Sequence, residues 1–162
     1  MQNRYAYFDG QIVPIERAKI SVMTVALSYG TGIFEGLRAY WNERQERLHL
    51  FRPRDRLERL RRNAGILLMQ LPRPIEQIER AIVDLLEREG SREDVYVRPL
   101  LYKSACEIGP RVHDNPCALA IFSAPFAGGI STRKTASRPA CPPGGGPPTT
   151  ASRRAARSAA RT

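Results

Sequence analysis

Residues 53–102 read PRDRLERLRRNAGILLMQLPRPIEQIERAIVDLLEREGSREDVYVRPLLY, and the change of hydrophobic period along them sets the fold class. After Pro53, the apolar residues Leu57, Leu60, Ala64, Leu67 and Leu68 recur at intervals of three and four, the spacing of one helix face. Glu58 and Arg62 stand four apart on the outer side and would add an i,i+4 ion pair. Pro72 and Pro74 end this helix, since proline cannot donate to the preceding turn. A second helical face follows in Ile75, Ile78, Ile82, Leu85 and Leu86, with Gly90 as its natural C-terminal stop. Val95 to Tyr102, rich in β-branched and aromatic residues, reads as a strand, and alternation puts Tyr96 and Arg98 on one face and Val95 and Val97 on the other.

Outward from this segment the pattern is of strands. Tyr5 to Phe8 and Gln11 to Pro14 flank Asp9-Gly10, the strongest short hairpin signal. Cys117 to Ala124 is a further strand, and His49, between Leu48 and Leu50, sits in another. Phe34 to Tyr40 reads as one strand entered through a glycine-containing turn. Strands at both ends with two helices between them predict a small α+β domain.

The chain has 162 residues and a formal net charge of +10. Taken whole, that charge suggests a polyanionic partner, but its distribution argues against one. Residues 128–162 hold six Arg, one Lys and no Asp or Glu, so the first 127 residues, with 19 basic and 16 acidic groups, carry only +3. Residues 128–162 are also rich in Gly, Pro, Ala, Ser and Thr, with Ile130 their single large aliphatic side chain. Such a segment cannot bury enough apolar surface to offset chain entropy, and disorder is expected there. The domain is accordingly expected over residues 1–127, followed by a disordered tail. A basic arm around Arg153-Arg154 could touch nucleic acid, but the body carries no nucleic-acid motif. No apolar run reaches the ~18 residues of a membrane span. The N-terminus lacks a signal-peptide core, and Cys106, Cys117 and Cys141 form neither a disulfide framework nor a zinc spacing. These features point to the cytoplasm and to no metal.

Three places remain as candidates for chemistry. Ser28-Tyr29-Gly30-Thr31-Gly32-Ile33-Phe34-Glu35-Gly36-Leu37-Arg38 is too polar and too turn-rich for simple core. Arg59 lies on the first helix near Arg56, Arg61 and Arg62, where a row of arginines ordinarily forms a solvated face. Tyr96 and Arg98 together offer a planar fork and a hydroxyl to a carboxylate, with pairing of Arg98 to a neighbouring Glu the structural alternative. His113, Ser28, Ser104, Ser123 and Gly144-Gly145-Gly146 lack the surroundings that a metal ligand, a nucleophile or a phosphate loop requires.

In order and spacing, Phe8-Asp9-Gly10, the Tyr29 to Arg38 string, Phe51-Arg52 leading to Glu58-Arg59-Leu60, and Tyr96-Val97-Arg98-Pro99 are similar to the class IV (fold type IV) aminotransferases. The resemblance is to the N-terminal small domain of the branched-chain amino acid aminotransferases. It implies an antiparallel sheet with two packed helices, pyridoxal 5′-phosphate as cofactor, and amino transfer between Leu, Ile or Val and 2-oxoglutarate in a homodimer or larger homo-oligomer. It assigns Arg59 to the cofactor phosphate, Phe34 to an aromatic wall of the substrate pocket, and Tyr29 and Val112 to the lining of that pocket. Arg38, Tyr96 and Arg98 match the group that receives the glutamate side-chain carboxylate. A D-amino acid aminotransferase and an aminodeoxychorismate lyase are the alternatives within the class.

The resemblance also defines what is not matched. The family's catalytic lysine, which forms a Schiff base with the cofactor, has no counterpart here, and neither does its large domain. The only lysine after Lys103 is Lys134. Back-translated and shifted in frame, the segment from Gly129 can yield stretches like the family's interdomain segment and lysine surroundings, the lysine codon falling across Ala156 and Arg157. The expectation is therefore a chain truncated by a frameshift and inactive by itself.

Overall fold

The computed structural model describes residues 4–109 and 113–126. The readings that concern Val112 and residues 128–162 lie outside the described residues. Strands β1 (Tyr5–Phe8) and β2 (Gln11–Pro14) form the expected hairpin, with Phe8 opposite Gln11. Asp9 and Gly10 both take positive φ, 50° and 82°, the demand of a two-residue type I′ turn. A five-residue helix, α1 (Val25–Tyr29), ends on Gly30 in the left-handed region at φ 65°. Then come β3 (Gly32–Phe34), β4 (Leu37–Asn42) and β5 (Arg47–Leu50), the helices α2 (Pro53–Ile66) and α3 (Ile75–Glu89), and the nine-residue strands β6 (Val95–Lys103) and β7 (Cys117–Pro125).

Every pairing is antiparallel, in the order β2-β1-β7-β6-β4-β5. β3 also pairs with β6, so that β3 and β4 run end to end along one side of that strand. This is the α+β architecture read from the sequence. The α1 helix has no counterpart in the sequence pattern, and the single strand expected over Phe34 to Tyr40 is two. The cause of the break lies in the partner strand: Glu35 faces Pro99, which has no N–H, so the ladder loses a donor there. The Glu35 N–H still donates to the Pro99 carbonyl at 3.0 Å.

Both helices bury their apolar stripes against one face of the sheet. Leu57, Leu60 and Ala64 of α2 and Ile78, Ile82 and Leu85 of α3 meet Leu37, Ala39, Val95, Val97, Leu101 and Ile121 in one core cluster. Burying a side chain of this size contributes about 1.5–3 kcal/mol relative to leaving it in water. Two details differ from the sequence pattern. α2 stops at Ile66, and Leu68 turns outward at φ 51° because the chain reverses there toward α3. Glu58 pairs with Arg61 at 2.8 Å, three residues on, in place of Arg62. Gly90 closes α3 as expected, at φ 60° with its N–H bonded to the Leu86 carbonyl.

Candidate functional site

The strand alternation that continues through the β3–β4 break decides where the site residues point. Leu37 and Ala39 face the helices and are buried, whereas Phe34, Arg38 and Tyr40 face the other side. Glu35 falls in the helix-facing row, where a lone carboxylate is costly unless paired. Its side chain is 4% exposed and its partner is Arg59 on α2. Arg59 Nε donates to Oε2 and Nη2 to Oε1, both at 2.5 Å, in a planar fork. The Gly36 N–H adds a bond to Oε1 at 2.8 Å. Burial alone would raise the Glu35 carboxyl. The hydrogen bonds from Arg59 and Gly36 and the charges of Arg59 and Arg56 outweigh it and hold the group below its ordinary 4.5. The Arg59 side chain itself stays half exposed.

On the outward face, Arg38 stands directly across from Tyr96. Arg98 lies 4.5 Å from the Phe34 ring centroid and 5.2 Å from that of Tyr96, and its Nη2 donates to Tyr96 Oη at 3.5 Å. Among the described residues Arg98 has no carboxylate partner, so its surroundings are aromatic rather than the neighbouring Glu considered above. Its shielded Nε has no hydrogen-bond partner there. Gly36 accommodates a close approach, because a Cβ at that position would come 2.6 Å from Tyr96 Oη and the ring would have to shift. Arg38 caps the group, 4.6 Å over the Phe126 ring, with Nη1 3.5 Å from Tyr40 Oη.

These elements enclose a cleft of about 520 Å³ between the outward sheet face and the first turns of α2. Of the residues singled out in the sequence, Phe34, Arg38, Arg59 and Tyr96 line it together, and Arg98 braces Phe34 and Tyr96. Tyr29, at the end of α1 and exposed, does not line it, and Val112 is outside the described residues. Glu35, Tyr40, Phe51 and Arg56 also line the cleft without having been assigned a role. For Glu35 a signal existed: period two places it in the same row as Leu37 and Ala39, where an acid needs a cation. For Arg56 the signal was only its position three residues before Arg59. Among the described residues there is no cluster able to hold a metal ion, and no helix is long and apolar enough to cross a membrane.

No family model matches the chain. A relative described as a probable branched-chain-amino-acid aminotransferase of Aquifex aeolicus is 41% identical over 130 residues, which are 80% of this chain and 42% of the relative. The branched-chain aminotransferase of Thermoproteus uzoniensis, solved with norvaline, superposes with a TM-score of 0.71 at 40% identity, covering 75% of this chain and 40% of that one. The branched-chain amino acid aminotransferase of Thermobaculum terrenum, solved in its PLP-bound holo-form, gives 0.69 at 28% identity, over 77% of this chain and 41% of that one. The chain thus spans about two fifths of the length of the proteins it matches. By sequence and by fold its homologues and structural neighbours are branched-chain aminotransferases, consistent with the N-terminal part of a fold type IV enzyme.

Proposed function

We propose that this domain supplies the arginine-rich half of a branched-chain aminotransferase site, which exchanges an amino group between Leu, Ile or Val and 2-oxoglutarate. The observation that carries the reading is the cleft in which Arg59, forked onto buried Glu35, shares one wall with Arg38, Tyr96 and Phe34. The residues present fit the phosphate end of pyridoxal 5′-phosphate. Glu35 engages Nε and Nη2 of Arg59, which leaves Nη1 outside that fork and half the side-chain surface exposed in a residue that lines the cleft. Bound there, the cofactor would act as the electron sink for the substrate Cα. Arg38, Tyr96 and Arg98 would orient an acidic side chain, while the Phe34 ring supplies an apolar wall for Leu, Ile or Val. Tyr29 and Val112 are proposed to line the pocket from positions the cleft itself does not include.

The domain binds and orients in this scheme and does not move the Cα proton. Its described lysines are exposed Lys19 and fully buried Lys103, whose Nζ lies 3.5 Å from the Leu68 carbonyl, and neither lines the cleft. The chain alone is therefore proposed to be inactive. Free Cys106 and Cys117 support a reducing, cytoplasmic setting, and apolar side chains on the outward sheet face support a homo-oligomer.

The test is a chimera in which residues 4–126 replace the matching part of the Aquifex aeolicus relative. It is expected to transaminate leucine with 2-oxoglutarate and to ignore D-alanine and aminodeoxychorismate. A folded, cofactor-loaded chimera that prefers either of those two substrates, or that leaves leucine untouched, contradicts the reading.

A further inference from the structure

Charge balance in the cleft points to a residue that the resemblance does not assign. Arg59 is forked onto Glu35, whose two oxygens are both engaged, so the pair together carries almost no net charge. A phosphate monoester brings about −1.5 to −2 at neutral pH. Arg38 also lines the cleft, but its guanidinium is engaged over the Phe126 ring and at 3.5 Å from Tyr40 Oη, on the sheet wall opposite α2. Arg56 remains. It stands one helical turn before Arg59, close enough in α2 to share its face. It lines the same cleft, is half-buried, and among the described residues makes no ion pair. Its charge also acts on Glu35, which lines the same cleft.

We propose that Arg56 is a second phosphate-binding guanidinium, supplying the uncompensated positive charge that the Glu35–Arg59 pair does not. Arg59 then fixes the direction of approach through its fork, and Arg56 gives the attraction. The inference rests on the reading of this cleft as the site of a phosphate ester, and it adds a ligand to that site. Recognition is of the dianionic phosphate and not of the ring attached to it.

Titrating the full 162-residue chain with pyridoxine 5′-phosphate tests this. That probe has no aldehyde and cannot react with lysines, and unphosphorylated pyridoxine serves as the control. Arg56→Gln should weaken binding of the phosphate ester by about tenfold, as loss of a hydrogen bond to a charged group does. Arg56→Lys should recover part of that loss, and the salt dependence should flatten in the Gln variant. Arg62→Gln removes the same charge from the outer side of α2 and should change affinity less than about twofold. If Arg59→Gln abolishes binding while Arg56→Gln leaves it unchanged, the phosphate cleft stands and the role of Arg56 is refuted. If the unsubstituted chain binds the phosphate ester no better than pyridoxine, the cleft reading fails and Arg56 with it. The Arg56 and Arg62 substitutions lie on half-exposed or exposed positions of α2, away from its buried face, whereas Arg59→Gln also unpairs buried Glu35 and is read only with its far-ultraviolet circular dichroism unchanged.

Discussion

Glu35 is held in its ionised form by the donors that surround it. Burial beside Leu37 and Ala39 pushes its carboxyl up, and Arg59 and the Gly36 N–H more than offset that. Its carboxyl is held below 4.5 in the folded domain, so folding is favoured by its ionised form. That contribution is complete above the ordinary value near 4.5 and disappears as the pH falls through the lower folded value. Urea midpoints measured from pH 7 to pH 3 should therefore show an acid-side loss of stability that shrinks in Glu35→Gln. The variant should also be less stable than the parent at pH 7, with the two converging toward pH 3. Parallel pH profiles for the two proteins would show that the pair does not couple ionisation to folding.

At the scale of elements, the two helices could be read directly because each carries one hydrophobic period along most of its length, and the long strands because they are rich in β-branched and aromatic residues. The Asp9-Gly10 hairpin was legible for a different reason, since its turn type demands residues that tolerate positive φ. The β3–β4 break was not legible in its own residues. It depends on Pro99, more than sixty residues along the chain, coming opposite Glu35. α1 is five residues long and shows too few turns for periodicity to appear. The same distinction applies to the site. Phe34, Arg38, Tyr96 and Arg98 could be grouped by alternation and resemblance, while the Glu35–Arg59 fork joins residues 24 apart on different elements. The apolar stripe of α3 gives the clearest energetic consequence. Ile82 is fully buried and Val83 beside it is 44% exposed. Ile82→Ala should lower unfolding free energy by about 2–5 kcal/mol, and Val83→Ala should stay within about 0.5–1 kcal/mol. Equal losses from the two in urea unfolding would mean that α3 does not pack by this face.

Across the whole described domain, the sheet divides two environments. Its helix-facing side carries the core, while its other side holds an apolar recess of about 610 Å³, and the arginine cleft reaches from that side round to α2. Ala6, Phe8, Ile20, Leu27, Leu100 and Phe122 line that recess, with Val22 and Met23 exposed in the chain that leads into α1. An apolar hollow of this kind on a domain surface attracts hydrophobic ligands or a second polypeptide. The positive charge of the body is small beside that feature, so attraction through the recess, rather than to polyanions, should dominate its association. Leu27 is 58% exposed, and replacing it by Glu sets a charge at the rim without emptying any part of the core. Leu27→Glu should reduce hydrophobic-dye fluorescence several-fold and lower self-association in sedimentation, with the far-ultraviolet circular dichroism unchanged. The weight of the recess comes from its area rather than from one side chain, so Ile20→Lys should act in the same direction. If both variants bind dye and self-associate as the parent does, the sticky surface of the domain lies elsewhere.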